Sequence, residues 1–300
     1  MKIIDENLKI KFGRQILIDE KLSNYSWFNL GGPADVLFKP DSLEDVIYFF
    51  KKLKPQKFTI IGAGSNTLIR DGGIKGVTIK LSSAFSYIKL DTKTTIEVGA
   101  ATQDKMVANF AMNNSLTGLE FLACIPGSIG GAIRMNTGCY GNDISQILHS
   151  IKVIDAQGIL KEILAKDIKF SYRSTNLEKN LLITSVKLIG KYSTKQKIKE
   201  KQTAMIERKK KSQPSQIKTC GSTFKNSKNK KAWELIKESN CENFQVGNAK
   251  ISEKHCNFFI NNGNTTSKDL EELINKVQDT VYQRTKINLE LEIKIIGYNK

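Results

Sequence analysis

The stretch CIPGSIGGAIRMNTGCYG, Cys124 to Gly141, carries five glycines and one proline in eighteen residues. No single regular helix or strand tolerates that density, because glycine loses the most backbone freedom on folding and proline removes a donor. What such a backbone offers is close approach. Pro126 fixes a turn, Gly127, Gly130 and Gly131 leave the main chain bare, and GAIRMN reads as a helix whose N-terminal amides face an anion.

A second bare loop lies upstream. In KFTIIGAGSNTLIRDGG a β-branched run enters Gly62-Ala63-Gly64, but the third glycine and the helix of a Rossmann turn are both missing, and residues 66–70 read as extended. The lysine of a P-loop is missing too. The loop is therefore expected to hold an anion through main-chain amides, as a nest does. Two phosphate cradles in one chain point to a dinucleotide, its diphosphate lying between two strand-rich subdomains.

The remaining segments mix helices and strands, so the expected class is α+β. DSLEDVIYFFKKLK sets Leu43, Val46, Ile47, Phe50 and Leu53 at helical spacing behind a Ser42/Asp45 capping box. TTIEVGA reads as a strand, TQDKMVANFAMNN as a helix opened by Thr102, SIKVIDAQGILKEI as a hairpin and NLLITSVKLIG as a strand. A lysine-rich stretch from Lys191 to Lys201 begins a long polar helix and marks a domain boundary. Beyond it come a helix in KKAWELIKES, strands in FQVGNAKI and NFFINN, and an amphipathic helix from Ser267 to Lys286 that buries Leu270, Leu273, Ile274, Val277 and Val281. In the final run, NLELEIKIIG, Leu289, Leu291, Ile293 and Ile295 point one way and Glu290, Glu292 and Lys294 the other.

Composition narrows the function classes. With 300 residues, 40% hydrophobic and 26% charged, the chain can bury a sizeable core in roughly two or three domains. Its five cysteines form no CxxC pair and it has two histidines, so neither a disulfide framework nor a metal centre is expected. The formal charge of +17 attracts any polyanion, yet no aromatic strand or zinc finger accompanies it, and the run ERKKKSQ reads as a solvated helix end. The start, MKIIDENLKIKFGRQ, has no signal-like apolar stretch, and no run approaches the ~20 residues that span a bilayer. A cytoplasmic location, without membrane or specific nucleic-acid partners, is expected.

Seven motifs share an order. NLGGPAD (29–35), GAGSNTLIRDGG (62–73), GLEFLACIPGSIGGAIRMNTGCYG (118–141), FSYRS (170–174), CGSTFKN (220–226), VGNAKISEKH (246–255) and LEIKIIG (291–297) resemble, almost end to end, the UDP-N-acetylenolpyruvoylglucosamine reductase family. The resemblance implies a two-subdomain FAD-binding module of the vanillyl-alcohol oxidase type (1–85 and 86–195) followed by an α+β substrate-binding domain (196–300). It implies non-covalent FAD, NADPH as co-substrate, a monomer, and reduction of UDP-N-acetylglucosamine enolpyruvate in peptidoglycan precursor synthesis.

By the same resemblance Ser222 is the proton donor, Arg173 contacts the substrate carboxylate as charge spreads into it, and Glu292 polarises the developing enolate. Alternation alone does not separate Glu292 from Glu290. Tyr172, Lys225 and Asn226 match substrate-contacting positions. For FAD the matching positions are Gly62, Ala63, Gly64, Ser65, Asn66, Pro126, Gly127, Ser128, Gly130, Gly131, Ala132, Asn136 and Gly138. The chain departs from the family pattern in IKTCGS before the serine turn, in VGNA for VGGA, and at Thr137 and Cys139. Another flavin-dependent oxidoreductase of this fold is the nearer alternative and a nucleic-acid-binding protein the farther one.

Overall fold

Leu8 and Phe12 of helix α1 (Glu6–Phe12) and Val46, Phe49 and Phe50 of helix α2 (Leu43–Leu53) are buried together with the inner face of a four-stranded sheet. That sheet runs in the order Ile16–Lys21, Pro33–Phe38, Ile74–Ile79, Phe58–Ile60. Ser42 Oγ accepts from the Asp45 amide at 3.0 Å, which is half of the anticipated capping box. The computed structural model describes residues 4–53 and 57–300, so the chain start and the Lys54 end of the expected α2 stretch lie outside the described residues.

A five-stranded antiparallel sheet follows, ordered Leu160–Leu164, Leu148–Ile154, Leu182–Ile189, Thr95–Gly99, Ile88–Leu90. The expected hairpin forms its edge. Asp155 Oδ1 closes the turn by accepting from the amides of Gln157 and Ile159, both at 3.0 Å. Helices α3 (Asp104–Asn113) and α4 (Ile129–Met135) bury Val107, Ala108, Ala111, Ala132 and Ile133 with this sheet. The N-cap of α3 is Gln103 and not Thr102, because the Thr102 hydroxyl donates to the Tyr87 carbonyl at 3.1 Å. Helix α5 (Lys195–Ser212) has the expected polar length. One lysine of its basic run departs from the solvated reading: Lys209 Nζ donates to the Cys124 carbonyl at 2.7 Å, and burial lowers its pKa.

The last part of the chain builds a three-stranded antiparallel sheet, Gln245–Val246, Ala249–Ser252 and His255–Asn261, with helices α6 (Ala232–Glu238) and α7 (Ser267–Thr285). All five apolar positions predicted for α7 are buried. Only Lys294–Ile296 of the final run is a paired strand, lying parallel to Thr67–Ile69, although Leu289 and Ile293 are buried as the alternation requires.

Two compact units emerge, one of Met1–Ile18, Val36–Ala63 and Gly76–Lys209, the other of Asp19–Asp35, Gly64–Lys75 and Lys210–Lys300. The first unit contains two separate cores, one around α1 and α2 and one around α3 and α4. The second recruits Phe28, Leu30 and Leu68 into the core of α6 and α7. Side chains explain the recruitment of residues 64–75. Arg70 grips Glu271 in a fork, Nε to Oε1 at 2.8 Å and Nη2 to Oε2 at 2.7 Å. Asp71 Oδ2 accepts from the Ser267 amide at 2.8 Å and from its hydroxyl at 2.9 Å, at the start of α7.

Asp104, the first residue of α3, is fully buried, and among the described residues neither carboxyl oxygen has a hydrogen-bond partner. Burial pushes its pKa well above the usual carboxylate range. The folded state therefore keeps a proton that the unfolded chain releases, so between those two pKa values stability falls as pH rises, by about 1.4 kcal/mol per pH unit. Asp104→Asn removes that titration. Its change in Tm relative to the parent should become more favourable at pH 8 than at pH 5, and an offset that is the same at both pH values would show that Asp104 does not carry the proton.

Candidate active site

In the second unit the motif CGSTFKN lies as an extended segment with hydrogen-bonded backbone on either side. Ser222 pairs antiparallel with Phe258, and Phe224 pairs antiparallel with Leu291. The Thr223 amide donates to the Asn257 carbonyl at 2.8 Å, while the Thr223 carbonyl accepts from the Glu292 amide at 2.8 Å. The Lys225 amide reaches the Glu290 carbonyl at 2.8 Å. This register brings Ser222 and Glu292, both half-buried, onto adjacent segments. Glu290 is exposed and its carboxylate pairs with Lys225 Nζ at 3.3 Å. The two glutamates that alternation left equivalent thus differ in environment.

Two more expected residues are engaged within this unit. Asn226 Oδ1 accepts from the Ala232 amide at 3.0 Å, at the start of α6. Asn66 was assigned to the cofactor loop, but its Nδ2 donates to the Glu292 carbonyl at 3.1 Å and its own carbonyl accepts from the Lys294 amide at 2.9 Å. Cys220 is buried, with Sγ toward the carbonyls of Thr67 at 3.3 Å and Gly64 at 3.5 Å. Burial pushes its thiol up to about 12, which removes it as a nucleophile at neutral pH.

The first unit holds Arg173 and Tyr172. They form the turn between Phe170–Ser171 and Ser174–Thr175, with Arg173 in the left-handed region at φ 57°. Arg173 Nη2 donates to the Gly138 carbonyl at 2.8 Å, and its guanidinium lies 5.1 Å from the centre of the exposed Tyr172 ring. The hairpin is tied to the end of α4. Thr175 Oγ1 donates to the Arg134 carbonyl at 3.2 Å, and Asn136 Nδ2 to the Ser171 carbonyl at 3.1 Å. Asn136, left-handed at φ 41° and buried, also accepts the Ser145 amide at 3.1 Å. Its side chain is a bracket for the FSYRS hairpin.

The glycines separate by what surrounds them. A Cβ on Gly130 would lie 3.1 Å from the Ala100 carbonyl oxygen, and the amides of Gly130 and Ile129 already donate to the carbonyls of Ala100 and Thr102, at 3.0 and 2.9 Å. These two α4 amides, expected to face a phosphate, are spent on packing. A Cβ on Gly138 would collide with the Asn142 carbonyl at 2.2 Å, and one on Gly64 with the Tyr25 carbonyl at 1.9 Å. Gly62 and Gly131 behave differently. Both are exposed, and an added Cβ would meet only Ser128 Oγ, at 3.1 and 3.8 Å. The two loops of the first unit therefore converge on the buried Ser128, leaving bare backbone at Gly62 and Gly131 beside the exposed Pro126.

Lys80 joins this bed. Its Nζ donates to the Gly62 carbonyl at 2.6 Å, and burial together with the charge of Lys39 lowers its pKa. Open main chain at two loops with a desolvated cation alongside fits a diphosphate. Sequence reasoning missed Lys80, and it missed Asn257, whose polarity inside the apolar run NFFI was the available signal.

Residues 34–163 match the model of an FAD binding domain, and residues 213–296 match that of the UDP-N-acetylenolpyruvoylglucosamine reductase C-terminal domain. The UDP-N-acetylenolpyruvoylglucosamine reductase of Wolbachia pipientis wMel is 43% identical over 280 residues, 93% of this chain and 95% of the relative. That of Orientia tsutsugamushi (strain Ikeda) is 42% identical over 281 residues, 92% of this chain and 93% of the relative. The crystal structure of the UDP-N-acetylenolpyruvylglucosamine reductase from Thermus caldophilus superposes with a TM-score of 0.82 at 29% identity, covering 94% of this chain and 98% of that one. On this evidence the chain belongs to the UDP-N-acetylenolpyruvoylglucosamine reductase family.

Proposed function

We propose that the protein reduces UDP-N-acetylglucosamine enolpyruvate to UDP-N-acetylmuramate with NADPH, in the synthesis of peptidoglycan precursors. The observation that carries this reading is the hydrogen-bonded placement of Ser222 and Glu292 on adjacent segments in a chain of this family. FAD, when bound, supplies the hydride relay from NADPH to the enolpyruvyl double bond. Gly62, Ser128 and Gly131 are the residues proposed to hold its diphosphate, with Lys80 alongside. The remaining positions of the two loops within the first unit, Ala63, Pro126, Gly127, Gly130 and Ala132, give the bed its shape, while Gly64 and Ser65 belong to the second unit.

Hydride addition to one alkene carbon leaves a negative charge that spreads from the neighbouring carbon into the carboxylate. Arg173 is suited to meet that carboxylate with its planar donors. The Ser222 O–H bond breaks as its proton passes to the carbanionic carbon and completes the C–H bond, the alkoxide left behind regains a proton from water, and the Glu292 carboxyl polarises the enolate oxygen. Tyr172, Lys225 and Asn226 are assigned to substrate contact. By family resemblance the chain is divided into a two-subdomain FAD module, 1–85 and 86–195, and a substrate domain, 196–300, whose core also takes in Phe28, Leu30 and Leu68. We further infer a cytoplasmic monomer without specific nucleic-acid or membrane partners. A UDP-sugar and NADPH are water-soluble substrates, and among the described residues no helix is long and apolar enough to cross a membrane.

Mixing the FAD-loaded protein anaerobically with NADPH should bleach the flavin absorbance, and UDP-N-acetylglucosamine enolpyruvate should restore it promptly. Bleaching without recovery would mean another acceptor. Ser222→Ala should leave bleaching nearly intact and slow recovery by at least the ~10²-fold typical of a general acid; equal slowing of both halves would refute the assignment. Glu292→Gln should act on recovery in the same way. Glu290→Gln, which removes only an exposed ion pair worth ~0–1 kcal/mol, should leave both halves unchanged, and a damaging Glu290→Gln would reverse the choice between the two.

A further inference from the structure

Asn257 is 3% exposed and sits in the strand His255–Asn261 beside Phe258, Phe259 and Ile260. A primary amide in such surroundings must find partners for both of its ends. It finds them on a single residue. Oδ1 accepts from the Phe224 amide at 2.9 Å, and Nδ2 donates to the Phe224 carbonyl at 2.8 Å. The side chain thereby makes the two hydrogen bonds that a neighbouring strand would make to Phe224. The main chain of Asn257 adds a third bond to the same segment, its carbonyl accepting from the Thr223 amide at 2.8 Å.

These bonds bear on the chemistry because of what Thr223 holds on its other side. Its carbonyl receives the Glu292 amide at 2.8 Å, and Phe224 is paired with Leu291. Ser222 is thus two residues from the clamped peptide, and Glu292 is one hydrogen bond from it. On the other side of Ser222, Gly221 turns the chain at φ 80° and Cys220 is buried. On the Phe224 side, the register between Ser222 and Glu292 is held by the two side-chain bonds of Asn257.

We propose that Asn257 is a positioning residue for the reduction, fixing the main chain that presents Ser222 and Glu292; this rests on the assignment of Ser222 as the proton donor. Asn257 does not act on substrate. Its effect passes through Ser222, and that makes it separable from a residue that only supports folding.

The test is a double-mutant cycle on the FAD-loaded enzyme, read as flavin bleaching by NADPH and recovery on addition of UDP-N-acetylglucosamine enolpyruvate. Asn257→Ala should leave bleaching unchanged and slow recovery on the order of 10²-fold, the scale expected when a reacting group is displaced by about 1 Å. In a Ser222→Ala background the same change should slow recovery by less than ~3-fold, because coupled residues do not add. Asn257→Asp keeps the size and the acceptor and removes the donation to the Phe224 carbonyl, so it serves in the same cycle if the alanine variant does not fold. Independent, multiplying effects of Asn257 and Ser222 would overturn the proposal and leave Ser222 in place. Recovery unaffected by Ser222→Ala alone would overturn the assignment of Ser222, and the positioning role with it.

Discussion

The parallel pairing of Thr67–Ile69 with Lys294–Ile296 is the constraint on which the second unit depends. It joins a segment from the first quarter of the chain to the last strand, and the neighbouring side chains make the junction specific. Arg70 forks onto Glu271, Asp71 receives the start of α7, and Asn66 holds the carbonyl of Glu292. A partly buried, bidentate, charge-assisted pair carries geometric information that an exposed lysine pair does not. The motif GSNTLIRDGG thus anchors the strand that carries Glu292, while its Gly64 packs against the Tyr25 carbonyl.

Local periodicity carried much of the architecture. The face of α7, the hairpin turned at Asp155 and the polar length of α5 follow from residue spacing, since each depends on contacts within a few residues, whereas the face of α2 is turned toward Phe49, which spacing did not single out, and leaves Leu43, Ile47 and Leu53 partly buried. The unit boundaries do not. They are drawn by Arg70, Asp71 and Asn66 reaching partners some two hundred residues away, and no spacing rule records such partners. The choice of Glu292 over Glu290 came from family resemblance, and the structure adds a physical difference in that Glu290 is exposed beside Lys225 while Glu292 is half-buried.

The glycines show the same limit from another side. Gly62, Gly64, Gly130, Gly131 and Gly138 give one signal in sequence, a backbone that needs to be bare. Close packing against the backbone of Tyr25, Ala100 and Asn142 explains three of them, whereas a Cβ on Gly62 or Gly131 would meet only the Ser128 hydroxyl. A position where two segments of protein touch and a position where a ligand touches protein demand the same residue. Asn257 escaped for the opposite reason: its motif position suggested an ordinary strand, and only the pair of bonds to Phe224 shows why an amide stands among aromatic side chains.

The second unit takes its core from three separated stretches, Asp19–Asp35, Gly64–Lys75 and Lys210–Lys300. During synthesis the first two leave the ribosome long before the third, so Phe28, Leu30 and Leu68 wait without their partners until α6, α7 and the last strand have emerged. Nor can the gene be cut at one point into two self-sufficient halves. A fragment starting near residue 210 would match the family's C-terminal domain in sequence and still lack part of its own interior, which makes this enzyme a poor donor of exchangeable modules.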